Sequence, residues 1–232
     1  MAKCSHCRPC RKQRYSYVLN SPLSFTDPTG YLTWGEWMRV GISIAIIAAT
    51  AGTATPVLTI NNVALVGLGG AMSGAIQSGD ARGAAWGAVS ALAFYGIGSY
   101  FEGAQWAKVA GEGASGVAKT GLNFGGYASK VLAHGVTGGA LQHLQGGKFG
   151  SGFMSAGITQ AASGYLDIID HSNPDFSTQR VVAAAVLGGT VSDLTGGKFG
   201  HGAVTAAFSR AFNDEVGRSR GKKERVLSRG EI

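Results

Sequence analysis

The sequence predicts a mainly α-helical fold made of glycine-rich helical hairpins, duplicated along the chain, after a short segment of strand and turns. Three observations lead there. Apolar runs of helical length alternate with short polar turns marked by glycine. Residues 131–163 align without gaps on 181–213. Glycine supplies 38 of 232 residues, about twice its usual share, and it follows no Gly-X-Y period, so close helix packing accounts for it better than collagen or a linker does.

Residues 1–13, MAKCSHCRPCRKQ, differ in composition from everything after them. Cys4, Cys7 and Cys10 are the three cysteines of the sequence, so disulfides do not staple the remainder. With His6 they offer soft ligands of the kind that zinc or an iron–sulfur cluster takes. Only two residues separate each pair and no second CxxC follows, so metal binding is the less favoured reading; no metal or cofactor is expected. The basic start is followed by polar and aromatic residues, Gln13–Ser21, where a secretory signal would need an apolar stretch.

Residues 14–31 read RYSYVLNSPLSFTDPTGY. A short strand, Tyr15–Leu19, leads into turns at Asn20-Ser21-Pro22 and Asp27-Pro28-Thr29-Gly30. The string Arg14, Tyr15, Tyr17, Asn20, Pro22, Asp27, Pro28 and Gly30 closely resembles the end of the RHS repeat-associated core in Rhs/YD-repeat proteins of the polymorphic-toxin type. The resemblance covers only these 18 residues. It implies that a β-rich shell ends here and a variable C-terminal region begins. It further implies a role in competition between bacteria, export as part of a larger Rhs system, and two partners, the Rhs shell and a cognate immunity protein.

From 32 to 130 the sequence predicts an apolar helical region. Its runs Val40–Thr55, Val63–Ile76 and Ala84–Phe101 are expected to be three helices, the last two forming a hairpin across the polar turn Ser78–Gly83. Glu102–Lys130 is glycine-rich and weakly periodic, and it reads as a loosely helical connector. Between 131 and 213 lie the two repeats. Each is an apolar segment, a Gly-Gly break inside a shared GGKFGxG string at Gly146–Gly152 and Gly196–Gly202, and a second apolar segment. Gly-Gly suits a helix C-terminus that needs left-handed backbone angles, so each repeat is expected to be a hairpin with Phe149 or Phe199 packed as its plug. Gly69–Phe94 resembles a degenerate third copy.

Charge narrows the partners. The net charge of +7 suggests an acidic partner until its location is read. Residues 1–14 carry five bases, including Lys3 and Arg14, and 214–232 carry six bases against four acids, so 15–213 is neutral with nine of each. Nucleic acid is therefore not an expected partner, and the tail Arg218–Arg229 reads as a solvated end.

The motifs that hint at chemistry are weak. GGKFGxG exposes amides, with Lys148 and Lys198 beside them, but it lacks the spacing and preceding strand of a P-loop. Gly111–Gly116 matches GxGxxG without a strand before it. His171 stands between Asp170 and Asp175 in an inter-repeat loop, while His134, His143 and His201 fall on repeat helices or turns. None has a spacing that catalysis would require, and all are expected to be solvated histidines of helices and loops. No catalytic, cofactor or metal residue is assigned, and an enzyme is not the leading expectation. Small-xxx-small spacings at Gly70/Gly74, Gly83/Gly87, Gly121/Gly125 and Gly135/Gly139 suit tight helix contacts in a soluble bundle or in lipid. The leading expectation is a non-enzymatic structural or pre-toxin delivery segment; the alternative is a membrane-inserting, pore-forming toxin domain, and a nuclease-type effector using His171 or His201 with the basic tail ranks last.

Overall fold

The computed structural model of the chain describes residues 33–54, 58–109, 121–170, 173 and 175–216. The Rhs-like string 14–31, the cysteine cluster, Gly111–Gly116, His171 and the basic tail lie outside the described residues. The fold is mainly α, as the sequence predicts. Eight α-helices occur among the described residues: α1 (Trp34–Thr53), α2 (Ile60–Ser78), α3 (Ala81–Gly103), α4 (Phe124–Leu144), α5 (Phe149–Ala161), α6 (Ser163–Leu166), α7 (Thr178–Leu194) and α8 (Phe199–Ser209). A π-helical segment, Arg210–Glu215, extends α8.

Helix starts follow local capping chemistry. Thr33 and Glu36 form a reciprocal capping box on α1. Thr59, Asp80, Asn123 and Ser177 each accept a backbone N–H of the first turn of α2, α3, α4 and α7. These caps correct two expectations. The turn expected over Ser78–Gly83 shrinks to Gly79 and Asp80, because Asp80 Oδ1 accepts from the Gly83 amide at 2.7 Å and draws Ala81–Gly83 into α3. Of the connector expected over Glu102–Lys130, the described residues form the end of α3, a 3₁₀ turn, Gln105–Ala107, a Lys108–Leu122 bridge, and then the first turns of α4. Asn123 makes that junction: its Oδ1 caps α4 while its Nδ2 donates to the Trp106 carbonyl at 2.7 Å.

Three antiparallel pairs, α2–α3, α4–α5 and α7–α8, form the body. In each, two glycines face one another at the crossing. A Cβ built on Gly138 would stand 2.7 Å from the Gly152 carbonyl oxygen and 2.5 Å from Ala156 Cβ. On Gly188 the distances are 2.9 Å to the Gly202 oxygen and 2.3 Å to Ala206 Cβ. On Gly70 they are 2.5 Å to the Gly87 oxygen and 2.6 Å to Ala91 Cβ. The same contact thus recurs in the pair expected to be a degenerate copy, although its second glycine comes three residues later in the chain. Turn glycines behave as expected: Gly146 and Gly196 have φ of 86° and 76°. Phe149 and Phe199 rest on Gly139 and Gly189, where a Cβ would come within 2.7 Å of either ring.

The last helix is the axis of the bundle. α8 touches α1, α3, α4, α5 and α7, and from Gly202 to Asn213 only Thr205 is not buried. Its own Phe208 and Phe212 pack with Ile47, Phe94, Tyr95 and Val181 in one core, all nearly or fully removed from solvent.

Candidate functional site

Polar chemistry gathers in two places, and the first is the end of the axial helix. In the π turn the helix widens, so that Arg210 meets both the fourth and the fifth residue beyond it. Arg210 Nε donates to Glu215 Oε1 at 2.9 Å and Nη1 lies 3.5 Å from Asp214 Oδ2. Its remaining N–H groups reach the Ser163 carbonyl at 3.1 Å and the Asp167 carboxylate. Glu215 is then gripped from α7: Arg180 Nε and Nη2 donate to its two oxygens at 2.8 and 2.7 Å, a two-pronged pairing. Arg180 also donates to the carbonyls of Asp170, Asn173 and Asp175, so all five of its donors are engaged.

Lys130 of α4 closes the network at 2.9 Å from Asp214. Three cations and three carboxylates therefore balance inside the bundle, with Arg180 and Glu215 fully buried. Burial alone would raise the Asp214 carboxyl, but Lys130 and then Arg210 outweigh it and bring its pKa down to about 2. For Arg210 burial disfavours the charge, while Asp214, Glu215 and Asp167 overcome this and raise its pKa. Asp214 and Arg210 therefore stay charged at neutral pH, and the chemistry of the network is cohesion.

His134 lies beside this network. The expectation that the histidines are solvated is corrected here: His134 is fully buried, stacked on Phe94 with ring centres 5.3 Å apart, and its Nδ1 lies 2.8 Å from Ser209 Oγ. Burial, and next the neighbouring Lys130, bring its pKa down to about 3 against the opposing pull of Asp214. The imidazole is neutral.

The second place is the end of the bundle where the hairpin turns meet. A cavity of about 470 Å³ opens between the α2–α3 turn, the C-terminus of α4 and the N-terminus of α8. His143 and His201 both line it, and Gln142 Nε2 lies 3.5 Å from His201 Nδ1. His201 keeps an open edge, yet desolvation by the surrounding helices, and then Lys198, lower its pKa. Lys148 and Lys198 stand at the entries of α5 and α8, and their carbonyls accept from Ser151 and Ser192 hydroxyls. Asp170 and Asp175 contribute only backbone carbonyls to Arg180 in the contacts described above. Among the described residues, no group of three or more His, Cys, Asp or Glu side chains is placed to hold a metal.

Motif spacing does not single out the residues of the ion network, yet the sequence carries one signal of them. Extending the repeat by one residue pairs Lys130 with Arg180, two bases at one position that reach the same helix end from either side. Comparison with protein-family models, with curated proteins and with solved structures found no match. Among the described residues, no helix is long and apolar enough to cross a membrane.

Proposed function

We propose that the chain is the C-terminal part of an Rhs/YD-repeat polymorphic-toxin-type protein, in which residues 33–216 act as a non-enzymatic structural and delivery segment. The observation that carries this reading is the locked axial helix. Lys130 and Arg180 hold the end of α8 from two hairpins, and Arg210 on that end ties it to Asp167 in the segment between them. Charged side chains buried in this way bind the body together, and the body works as a folded unit behind the Rhs-like segment at 14–31. The Rhs shell and a cognate immunity protein are the partners this reading entails.

One observation favours a second reading, the pore-forming one. α1 presents Trp34, Trp37, Met38 and Ile42 to solvent, each at least 46% exposed, and an exposed apolar patch of this kind suits a membrane or a protein partner. Inducible expression of the full chain in a sensitive bacterium, with growth and membrane potential followed together, separates the readings. Normal growth with an intact potential is expected. Rapid depolarisation would replace the first reading by the second, and arrest with an intact potential would point to an enzyme and overturn both.

A further inference from the structure

The cavity among the hairpin turns has no part in the proposed function, and its lining has a consistent chemistry. The crossing glycines put the three hairpins in register, and the third residue after the second glycine of each carries a hydroxyl: Ser90, Ser155 and Thr205. In the second hairpin that hydroxyl is engaged, because Ser155 Oγ donates to the Gly188 carbonyl at 2.8 Å and seals the joint with the third hairpin. In the first and third hairpins it is not: Ser90 and Thr205 both line the cavity and make no hydrogen bond among the described residues. Ser90 is only 7% exposed. Its hydroxyl lies at the cavity wall, free to meet a ligand there.

The remaining walls favour an uncharged ligand. Arg82 and Asp80 lie on the same rim and offset one another, and Asp80 Oδ1 already accepts from the Gly83 amide and the Ser78 hydroxyl. The interior offers donors and acceptors without net charge, namely the two hydroxyls, the Gln142 amide and the His201 imidazole. Beside them the half-buried Trp86 presents an aromatic surface of the kind on which the C–H face of a sugar ring rests. The volume of about 470 Å³ lies within the range of about 300–1,000 Å³ typical of small-molecule sites.

We propose that this cavity is a binding site for a small, uncharged, polyhydroxylated ligand of sugar size, held by Ser90 and Thr205 and stacked on Trp86. The test uses the full chain with glucose and N-acetylglucosamine as probes, and inorganic phosphate and acetate as charged counterparts. Binding is read by ligand-detected saturation-transfer NMR and by the shift of the Trp86 indole signal, assigned by Trp86→Phe. Saturable binding of at least one sugar is expected, with the Trp86 signal moving and that of Trp106 still. A Ser90→Ala/Thr205→Val double variant should weaken that binding about tenfold, the loss of two hydrogen bonds of roughly 0.7 kcal/mol each, whereas Leu132→Ala, outside the cavity, should leave it unchanged. Failure of both sugars to saturate, tighter binding of phosphate or acetate, or a Trp86 signal unmoved by sugar would each overturn the proposal. The Trp86 signal is read in the unaltered chain, so the proposal can be refuted even if the double variant fails to fold.

Discussion

Glu215 is the residue on which most of the interior polarity depends. It accepts from Arg180, Arg210 and the Ser177 amide at once, and its loss would leave two buried guanidinium groups short of a counter-charge. Glu215→Gln is therefore expected to destabilise the protein by about 3–5 kcal/mol, read as a lower urea midpoint; a midpoint within error of the parent would deny the network its part in cohesion. Arg180→Lys should also be costly, because an ammonium cannot reproduce the two-pronged grip on Glu215 together with the three carbonyl bonds. Acid should act through His134 and Asp214. The folded imidazole, flanked by Lys130 and Asp214, titrates at about 3 rather than 6.5, so the unfolded chain takes up its proton first and stability falls as pH drops through that interval. Asp214, depressed to about 2, adds a further loss below about pH 4. The urea midpoint should be level above pH 7 and decline below about 6.5, and His134→Phe, which keeps the stack on Phe94, should flatten the limb between pH 6 and 4. An unchanged limb in that variant would contradict the assignment.

Among the elements, the glycines divide into those that a neighbour excludes from carrying a side chain and those that none does. Gly138→Ala would drive a methyl group into the Gly152 carbonyl and should cost about 1–3 kcal/mol by overpacking. Gly96, inside α3 with no atom within 4 Å of a built Cβ, should do the reverse: Gly96→Ala is expected to stabilise by about 0.5–1 kcal/mol through helix propensity. Thermal melts of both variants check the pair, and opposite signs are required. The same division separates what is legible in the sequence from what is not. GGKFGxG marks the turns because Gly146 and Gly196 need positive φ, a demand of the backbone alone, and the recurrence of that string marks the hairpins. Which glycines form the crossings depends on the partner helix, and sequence periodicity does not distinguish Gly138 from Gly96. The entry of α4 escapes periodicity for a similar reason, since Asn123 draws its meaning from the Trp106 carbonyl as much as from the helix it caps.

For the molecule as a whole, the last described helix is the most sheltered: α1 shows tryptophans to solvent near its start, while α8 is the axis. Sequence hydropathy does not foretell this, because α8 is no more apolar to the eye than α1 and its end carries four charged or amide residues from Arg210 to Glu215. Its carboxylates are accommodated there because Lys130 and Arg180 on other helices, together with Arg210 on its own end, neutralise them. The cavity at the turn end is equally hidden, because Ser90 and Thr205 are far apart in sequence and become neighbours of one space only when the first hairpin closes on α8. A body organised in this way is expected to act folded, with its axis sheltered. Hydrogen exchange of the full chain, with and without anionic vesicles, is the decisive experiment. The amides of α8 should be the slowest of all and should stay slow when vesicles are added, with no release of entrapped dye; fast exchange along α8 in the presence of vesicles, accompanied by dye release, would show that the body opens to act and that the sheltered axis is not its working state.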